Sequence, residues 1–225
     1  MKKVIAIVLA VVLVAMIGAT GVFAQENPNA SAKATAQIAE LEVISASATE
    51  GDQVDWNSSD VAEILTQTIK TANDKDLFID VSLLSGLYTE TNVKSKGGTK
   101  DTSGAAGAVL VAVFVDGDMA FPGYPIVFEG RVQVLTATLQ GILEDGEVVG
   151  YEEIGLIIGT LSANSFNFVV QDLDSGMHEV VVKAVCVTGA FSQQGSAAAV
   201  AAIGLGSVTV EEVRMVKGED AVPEF

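Results

Sequence analysis

The chain has 225 residues, of which 49% are hydrophobic, and it carries 29 acidic residues against 12 basic ones, with a single Cys and a single His. This composition excludes a small disulfide-stapled module and a disordered acidic chain, and it predicts one globular domain. The net charge of −17 also disfavours nucleic acid and anionic membrane surfaces as partners, because both are bound through clusters of Lys and Arg.

The N-terminus has the three-part layout of a secretory signal. Two lysines at positions 2–3 precede an apolar run over residues 4–17, and Val22-Phe23-Ala24 supplies a cleavage site before Gln25. We predict a signal peptide over residues 1–24; an uncleaved membrane anchor is the alternative. In either case the rest of the chain is secreted or displayed at the cell surface, outside the cytoplasm.

Residues 25–35 are small and polar and predict a flexible leader, so residues 36–225 are expected to form a single domain. Within it, apolar residues alternate with polar ones, which is typical of strands with one buried face. The pattern predicts a first strand over residues 38–44 and four further strands over residues 77–83, 126–134, 165–172 and 178–188. In residues 126–134 the alternation places Ile126, Phe128, Val132 and Val134 on the buried face and Glu129, Arg131 and Gln133 on the wet face.

Turn residues separate these strands. Asp116-Gly117, Asp145-Gly146 and Asp174-Ser175-Gly176 are typical of tight hairpins, so we expect the strands on either side of each to pair antiparallel. The small and polar residues over 94–107 and 189–196 predict two loops. A shift in the apolar alternation predicts a β-bulge near Glu211 and Glu212.

One segment has helical spacing. Asp60 and Glu63 resemble a capping box, and Val61, Ile64, Leu65 and Ile69 recur at intervals of three to four residues. This pattern favours a short helix, with an irregular strand as the alternative. Residues 174–184 and 206–213 look like the last hairpin and final strand of many sandwich domains. The predicted fold is therefore an all-β antiparallel sandwich, of jelly-roll or immunoglobulin-like topology, with one short helix.

No catalytic constellation is visible in the sequence. The single histidine, His178, begins a predicted strand, and the chain has no Gly-x-Ser-x-Gly elbow. Cys186 lies between two valines, which is typical of a buried apolar thiol. These observations favour a protein that is not an enzyme, although paired carboxylates of the kind that hydrolyse glycosides leave a hydrolase open.

Calcium is the one cofactor that the sequence suggests. Two pairs of aspartates flank turns at a spacing of two residues, Asp116 with Asp118 and Asp172 with Asp174, and hard oxygens so placed can converge on Ca²⁺. The alternative is that Asp and Gly are there because turns favour them.

Two functions remain open. Export, apolar strands and the doubly apolar run of residues 109–115 favour a structural or interaction protein whose partners are copies of itself or other envelope proteins. That run is either an assembly interface or the central strand of the sandwich. The alternative is a carbohydrate-binding module, with or without calcium, which would use exposed aromatic residues beside carboxylates. Its candidates are Trp56, Tyr88, Tyr124 and Tyr151.

Overall fold

The computed structural model describes residues 34–38, 44–49 and 55–215, and these contain thirteen strands and no helix. The first seven strands are β1 (Ala34–Ile38), β2 (Ile44–Thr49), β3 (Asp55–Ser58), β4 (Ala62–Thr71), β5 (Lys75–Ser95), β6 (Lys100–Val115) and β7 (Asp118–Met119). The other six are β8 (Ile126–Thr138), β9 (Ile142–Glu144), β10 (Glu147–Gly150), β11 (Glu152–Leu173), β12 (Gly176–Ser192) and β13 (Ser196–Val213).

Some sequence predictions fall outside these residues. The signal peptide, residues 25–33 of the leader and most of the predicted first strand lie there. β1 begins at Ala34, two residues before the predicted start of the domain. Within the described residues, no helix could cross a membrane.

The strands form two large antiparallel sheets. Sheet 1 has the order β1-β13-β5-β11, with β2 also paired to β13, and sheet 2 has the order β3-β12-β6-β7, with β4 paired to β12 and β8 to β6. If β1–β2 and β3–β4 each count as one strand position, the order of the eight principal strands is 1-8-3-6 in sheet 1 and 2-7-4-5 in sheet 2. This is the strand order of a jelly roll, so the predicted sandwich is confirmed.

One half of the interior is apolar and follows the predicted alternation. On β5, Leu77, Ile79, Val81 and Leu83 are buried while Asp80 and Ser82 lie on the other face. The predicted inward row of β12 and the alternate valines of β6 complete this half of the core: Val109, Val111, Val113, Val115, Val180, Val182, Ala184 and Cys186. β6 is a central strand that pairs with β12 on one side and β8 on the other; its odd-numbered valines are buried, while Leu110 and Phe114 on its outer face are only partly buried.

The other half of the interior, around the turns at residues 95–100 and 192–196, is lined by small and polar side chains. β5 and β6 extend to Ser95 and back to Lys100, so the predicted loop over residues 94–107 is mostly strand. The predicted loop over 189–196 is likewise reduced to a short turn between β12 and β13. Small residues occupy these strands because their neighbours leave little room. A Cβ at Gly104 would lie 2.1 Å from the ring of Phe191, its cross-strand neighbour on β12, and a Cβ at Gly107 would lie 3.3 Å from Leu87 of sheet 1. The buried polar residues of this half include Ser85, Thr89, Thr91, Ser95, Asp101, Ser103, Gln133, Thr188 and Ser192.

The predicted helix near residue 60 is wrong, and the alternative of an irregular strand is correct. Residues Ala62–Thr71 form β4, which pairs with β12. The register shifts between Leu65 and Glu63, so Ile64 is the extra residue of a bulge. That bulge breaks the period of two and leaves an apolar spacing that imitates a helix.

The predicted faces of β8 are wrong beyond its first residues. The register of β8 with β6 shifts between Glu129 and Val127. After this bulge the faces exchange, so Val132 and Val134 are exposed while Gln133 is buried. A one-residue shift moves every later side chain to the opposite face, which is why alternation alone misassigned them.

Two further predictions are wrong, one about a turn and one about a β-bulge. The Asp174-Ser175 turn joins β11 in sheet 1 to β12 in sheet 2, so these two strands do not pair with each other. The bulge in β13 lies between Ile203 and Gly206, and not at Glu211. The hairpins at Asp116-Gly117 and Asp145-Gly146 are confirmed, and both aspartates have positive φ.

Candidate functional site

The longest strand, β11, lies at the edge of sheet 1. Its 22 residues pair with β5 along one side, and at a rise of 3.3 Å per residue it is roughly 70 Å long. On the other side, within the described residues, the only backbone pairing is a bridge between Val169 and Phe121. Residues 152–168 of β11 therefore present an open sheet edge.

This edge carries no charge over most of its length. Residues 154–170 include no Asp, Glu, Lys or Arg, although the chain as a whole is strongly acidic. Several of its large apolar side chains are solvent-exposed: Ile154, Leu156, Ile157, Ile158, Leu161 and Phe166. Monomeric proteins usually protect such edges with lysines, prolines or bulges. Residues 152–168 contain no proline or lysine, and their register with β5 has no shift.

Two glycines in β11 are not explained by packing against the residues that the structure describes. A Cβ at Gly159 would meet nothing within 4 Å, and one at Gly155 would make only an ordinary contact of 3.9 Å with the carbonyl oxygen of Thr91. Neither residue has a positive φ. Glycine in a strand lowers stability, and it often marks a place where another backbone approaches closely.

A row of polar side chains from β8 holds β11 in position. Gln133 donates a hydrogen bond of 2.8 Å to the carbonyl oxygen of Leu156, and Arg131 donates one of 2.8 Å to that of Ile158. Arg131 also donates to the hydroxyl of Thr160, which in turn donates to Glu129. This network links the edges of the two sheets, and the sequence interpretation missed it because it assigned the three β8 residues to the solvent.

The one histidine, His178, lies within hydrogen-bond distance of two acceptors. It is in the apolar half of the sandwich. Nδ1 of His178 lies 2.6 Å from Oδ2 of Asp116, and Nε2 lies 3.0 Å from the carbonyl oxygen of Asp174. Oδ1 of Asp116 accepts the backbone N–H of Glu179 at 2.9 Å. His178 thus joins two turns, as expected for a structural histidine.

The contact between Asp116 and His178 makes the free energy of unfolding depend on pH in the acidic range. Burial acts to raise the pKa of Asp116, but hydrogen bonds from His178 and the Glu179 N–H outweigh it, so this pKa lies below its ordinary value. Ionised Asp116 therefore stabilises the fold above about pH 4, and this contribution is lost as the pH falls through the lowered folded pKa. We expect urea denaturation to show that wild type exceeds Asp116→Asn in stability at neutral pH and that the difference shrinks as the pH falls below about 4. An unchanged difference would contradict this assignment, and Asp118→Asn, at an exposed position, is the control.

The four aspartates predicted to bind calcium occupy the turns of this same half of the sandwich. Asp116 and Asp174 both contact His178, Asp118 is exposed on β7, and the backbone N–H of Asp172 donates to Asp76. In the part of the chain that the structure describes, no three His, Cys, Asp or Glu residues are grouped so that they could hold a metal ion. Calcium binding stays a prediction.

The aromatic candidates are far apart. Tyr151 lines a cavity of about 410 Å³ with Lys96, whose Nζ lies 4.4 Å from the centre of its ring. Tyr124 is exposed close to the Phe121–Val169 bridge. Residues 151 and 169 are separated by almost the full length of β11, about 60 Å at 3.3 Å per residue, so these two tyrosines do not share a site.

The other two aromatic candidates for carbohydrate binding are Trp56 and Tyr88. The backbone of Trp56 pairs with Gly189, and its side chain is not among those described. Tyr88 is buried. Its pKa is raised to about 12, mainly by burial and next by the hydrogen bond of its hydroxyl to Glu90. Carbohydrate binding at Trp56, Tyr124 or Tyr151 stays a prediction.

Cys186 is fully buried among the apolar core residues. Burial raises the pKa of its thiol to about 12. The thiolate is the reactive form of cysteine, so this side chain is chemically inert in the folded protein.

Comparison with known proteins identifies no family. No family model matches the chain, and no curated protein matches it. Among solved structures, the chain is similar to "Structure of infectious bursal disease virus Gx strain" at 10% identity and a TM-score of 0.17, over 86% of this chain and 49% of that one. It is similar to "Structure of TmCBM61 in complex with beta-1,4-galactotriose" at 10% identity and a TM-score of 0.17, over 79% of this chain and 88% of that one. The chain spans about half the length of the first of these structures.

Proposed function

We propose that this chain is a non-catalytic structural protein, exported to the cell surface or the extracellular space, whose copies associate through β11. The observation that carries the proposal is the open edge of residues 152–168, which is long, uncharged beyond its first two residues and rich in exposed apolar side chains.

The physical argument compares this edge with the rest of the molecule. A chain with a net charge of −17 repels its own copies over most of its surface. Along residues 154–170 that repulsion is weakest, because no charged side chain lies there. Unpaired backbone N–H and C=O groups can form hydrogen bonds with a second strand, and the exposed apolar side chains supply hydrophobic burial in the same contact.

The test replaces two apolar side chains of the edge with lysines. Ile157 and Leu161 are 53% and 44% exposed, so the double variant Ile157→Lys, Leu161→Lys leaves the buried core unchanged. In a contact between two copies of β11 the variant removes four such side chains. Each is about half exposed in one copy, so each loses about half of the roughly 1.5 kcal/mol that full burial is worth, about 3 kcal/mol of association free energy in total. This corresponds to a roughly 100-fold higher dissociation constant. The sample is the protein obtained by expressing the full sequence. We expect size-exclusion chromatography with light scattering to show assemblies for wild type and monomers for the variant.

A matched control places two lysines on the far side of the sandwich. Val61 and Met177 are 67% and 56% exposed, and Met177 lies beside β4 on sheet 2. Val61→Lys, Met177→Lys adds the same charge and should assemble as wild type does. A wild-type chain that stays monomeric at every concentration tested would overturn the proposal, as would equal loss of assembly in the control.

A further inference from the structure

We infer that the partner of β11 is β11 of a second copy, paired antiparallel about a two-fold axis at Gly159. This inference rests on the proposed function and specifies its contact. It predicts a closed dimer in which the first sheets of two copies join in the order β13-β5-β11-β11-β5-β13, with no open chain of subunits.

The open part of the edge sets the centre of the contact. It begins with β11 at Glu152 and ends before Val169, where the bridge to Phe121 occupies the edge. A strand that pairs with its own copy and uses this whole stretch must therefore have its axis close to residue 160.

The faces of the sheet restrict the register further. Inward-facing residues of β5 pair with even-numbered residues of β11, for example Val81 with Phe166, so the odd-numbered residues lie on the outer face. A joined sheet keeps its faces only when residues of equal parity lie opposite each other, and an axis through a single residue satisfies this condition.

Side-chain chemistry selects Gly159 among the residues near the centre. With the axis there, Ile157 of each copy lies opposite Leu161 of the other, so the exposed apolar residues of the outer face pair with each other. Glu153 then lies opposite Ser165 and Glu152 opposite Phe166, so no carboxylate opposes another carboxylate. Moving the axis to Ile158 or Thr160 separates the Ile157–Leu161 pairs and places each of these residues opposite Gly or Ala.

This arrangement also accounts for the glycine. At the axis the two copies of residue 159 lie directly opposite each other, and the absence of both side chains allows the two backbones and their flanking apolar residues to approach closely. Within the described part of one copy, no atom lies within 4 Å of the position of a Cβ at Gly159.

The test is disulfide trapping with single cysteines in the full chain. Directly opposed residues of an antiparallel pair have Cα atoms about 4.5 to 5.5 Å apart, within the range of roughly 4.4 to 6.8 Å that a disulfide bridges. A cysteine at position 159 has open space, and the native Cys186 is buried and inert. We expect mild oxidation to link most chains of Gly159→Cys into dimers and to leave wild type unlinked.

A matched control uses the same face of the same strand. In the proposed register the two copies of residue 165 lie about 40 Å apart, so Ser165→Cys alone should not form dimers. A mixture of Ser165→Cys and Glu153→Cys should give the mixed dimer. Equal linking of Gly159→Cys and Ser165→Cys would overturn the register. Assembly of wild type by light scattering, without linking at position 159 and without the mixed Ser165→Cys and Glu153→Cys dimer, would overturn the register and leave the proposed function intact. A wild type that stays strictly monomeric would overturn both.

Discussion

Replacing Asp101 with alanine should remove about 3 to 5 kcal/mol of folding free energy. Three backbone N–H groups lose their acceptor at roughly 1–3 kcal/mol each, and the cost stays near the lower end because Gln194 is exposed and Lys94 and Thr102 are only partly buried. Oδ2 of Asp101 accepts the N–H of Lys94 at 2.7 Å, and Oδ1 accepts those of Thr102 and Gln194 at 2.9 and 3.0 Å. The side chain is inaccessible to solvent, so water cannot reach the site easily to replace it. Since small domains are stable by only about 5–15 kcal/mol, the variant should be close to unfolding at ambient temperature.

Urea denaturation followed by circular dichroism measures this loss. Asp101→Asn is the informative second variant, because its amide keeps one acceptor oxygen but turns an N–H₂ group towards at least one of the three N–H donors. Its stability should therefore fall between wild type and Asp101→Ala. Asp118→Ala, at an exposed position on β7, should change stability by less than about 0.5 kcal/mol. Equal stability of Asp101→Ala and Asp118→Ala would show that the carboxylate does not support the three N–H groups.

Asp101 also shows how far the sequence could be interpreted. The period of two located the apolar half of the sandwich correctly, because residues 77–83 and 180–186 report burial on one face directly. It failed in the polar half, where residues 94–107 have the composition of a loop and yet form strands. Their small and polar side chains are required by close packing and by hydrogen bonds to distant partners, such as that of Asp101 with Gln194, 93 positions away, and no local pattern encodes such partners.

The candidate edge was predicted only in outline. Apolar strands and export favoured a self-associating protein, but the run of residues 109–115 was the one contact suggested, with the central strand of the sandwich as the alternative. The alternative is correct, because these residues belong to β6, which pairs with β12 on one side and β8 on the other. A buried central strand and an exposed edge strand can have the same apolar sequence. The alternation of side chains therefore does not tell which strand lies at the edge of a sheet. The polar row of β8 was missed for a related reason. One extra residue at its bulge exchanges the two faces, and that shift depends on pairing with β6.

Replacing Gly195 with alanine should be almost as damaging as the loss of Asp101, for a steric reason. A Cβ at this position would lie 1.8 Å from the carbonyl oxygen of Asn92 and 3.0 Å from Cα of Val93. Both atoms belong to the backbone of β5, which is held on its two sides by β13 and β11 and cannot move aside as a flexible side chain would. We expect a loss near the upper end of the roughly 1–3 kcal/mol that overpacking costs.

The control for this prediction is another glycine without positive φ. A Cβ at Gly176, at the start of β12, would meet nothing within 4 Å, so Gly176→Ala should be neutral or slightly stabilising because alanine restricts the unfolded chain. Thermal unfolding by calorimetry compares the two variants with wild type. Should Gly195→Ala accumulate too little folded protein to measure, its soluble yield beside that of Gly176→Ala gives the same comparison. Equal midpoints for the two variants would mean that the turn after β12 can move away from β5, and the close approach of Gly195 to Asn92 would then not be a constraint on the fold.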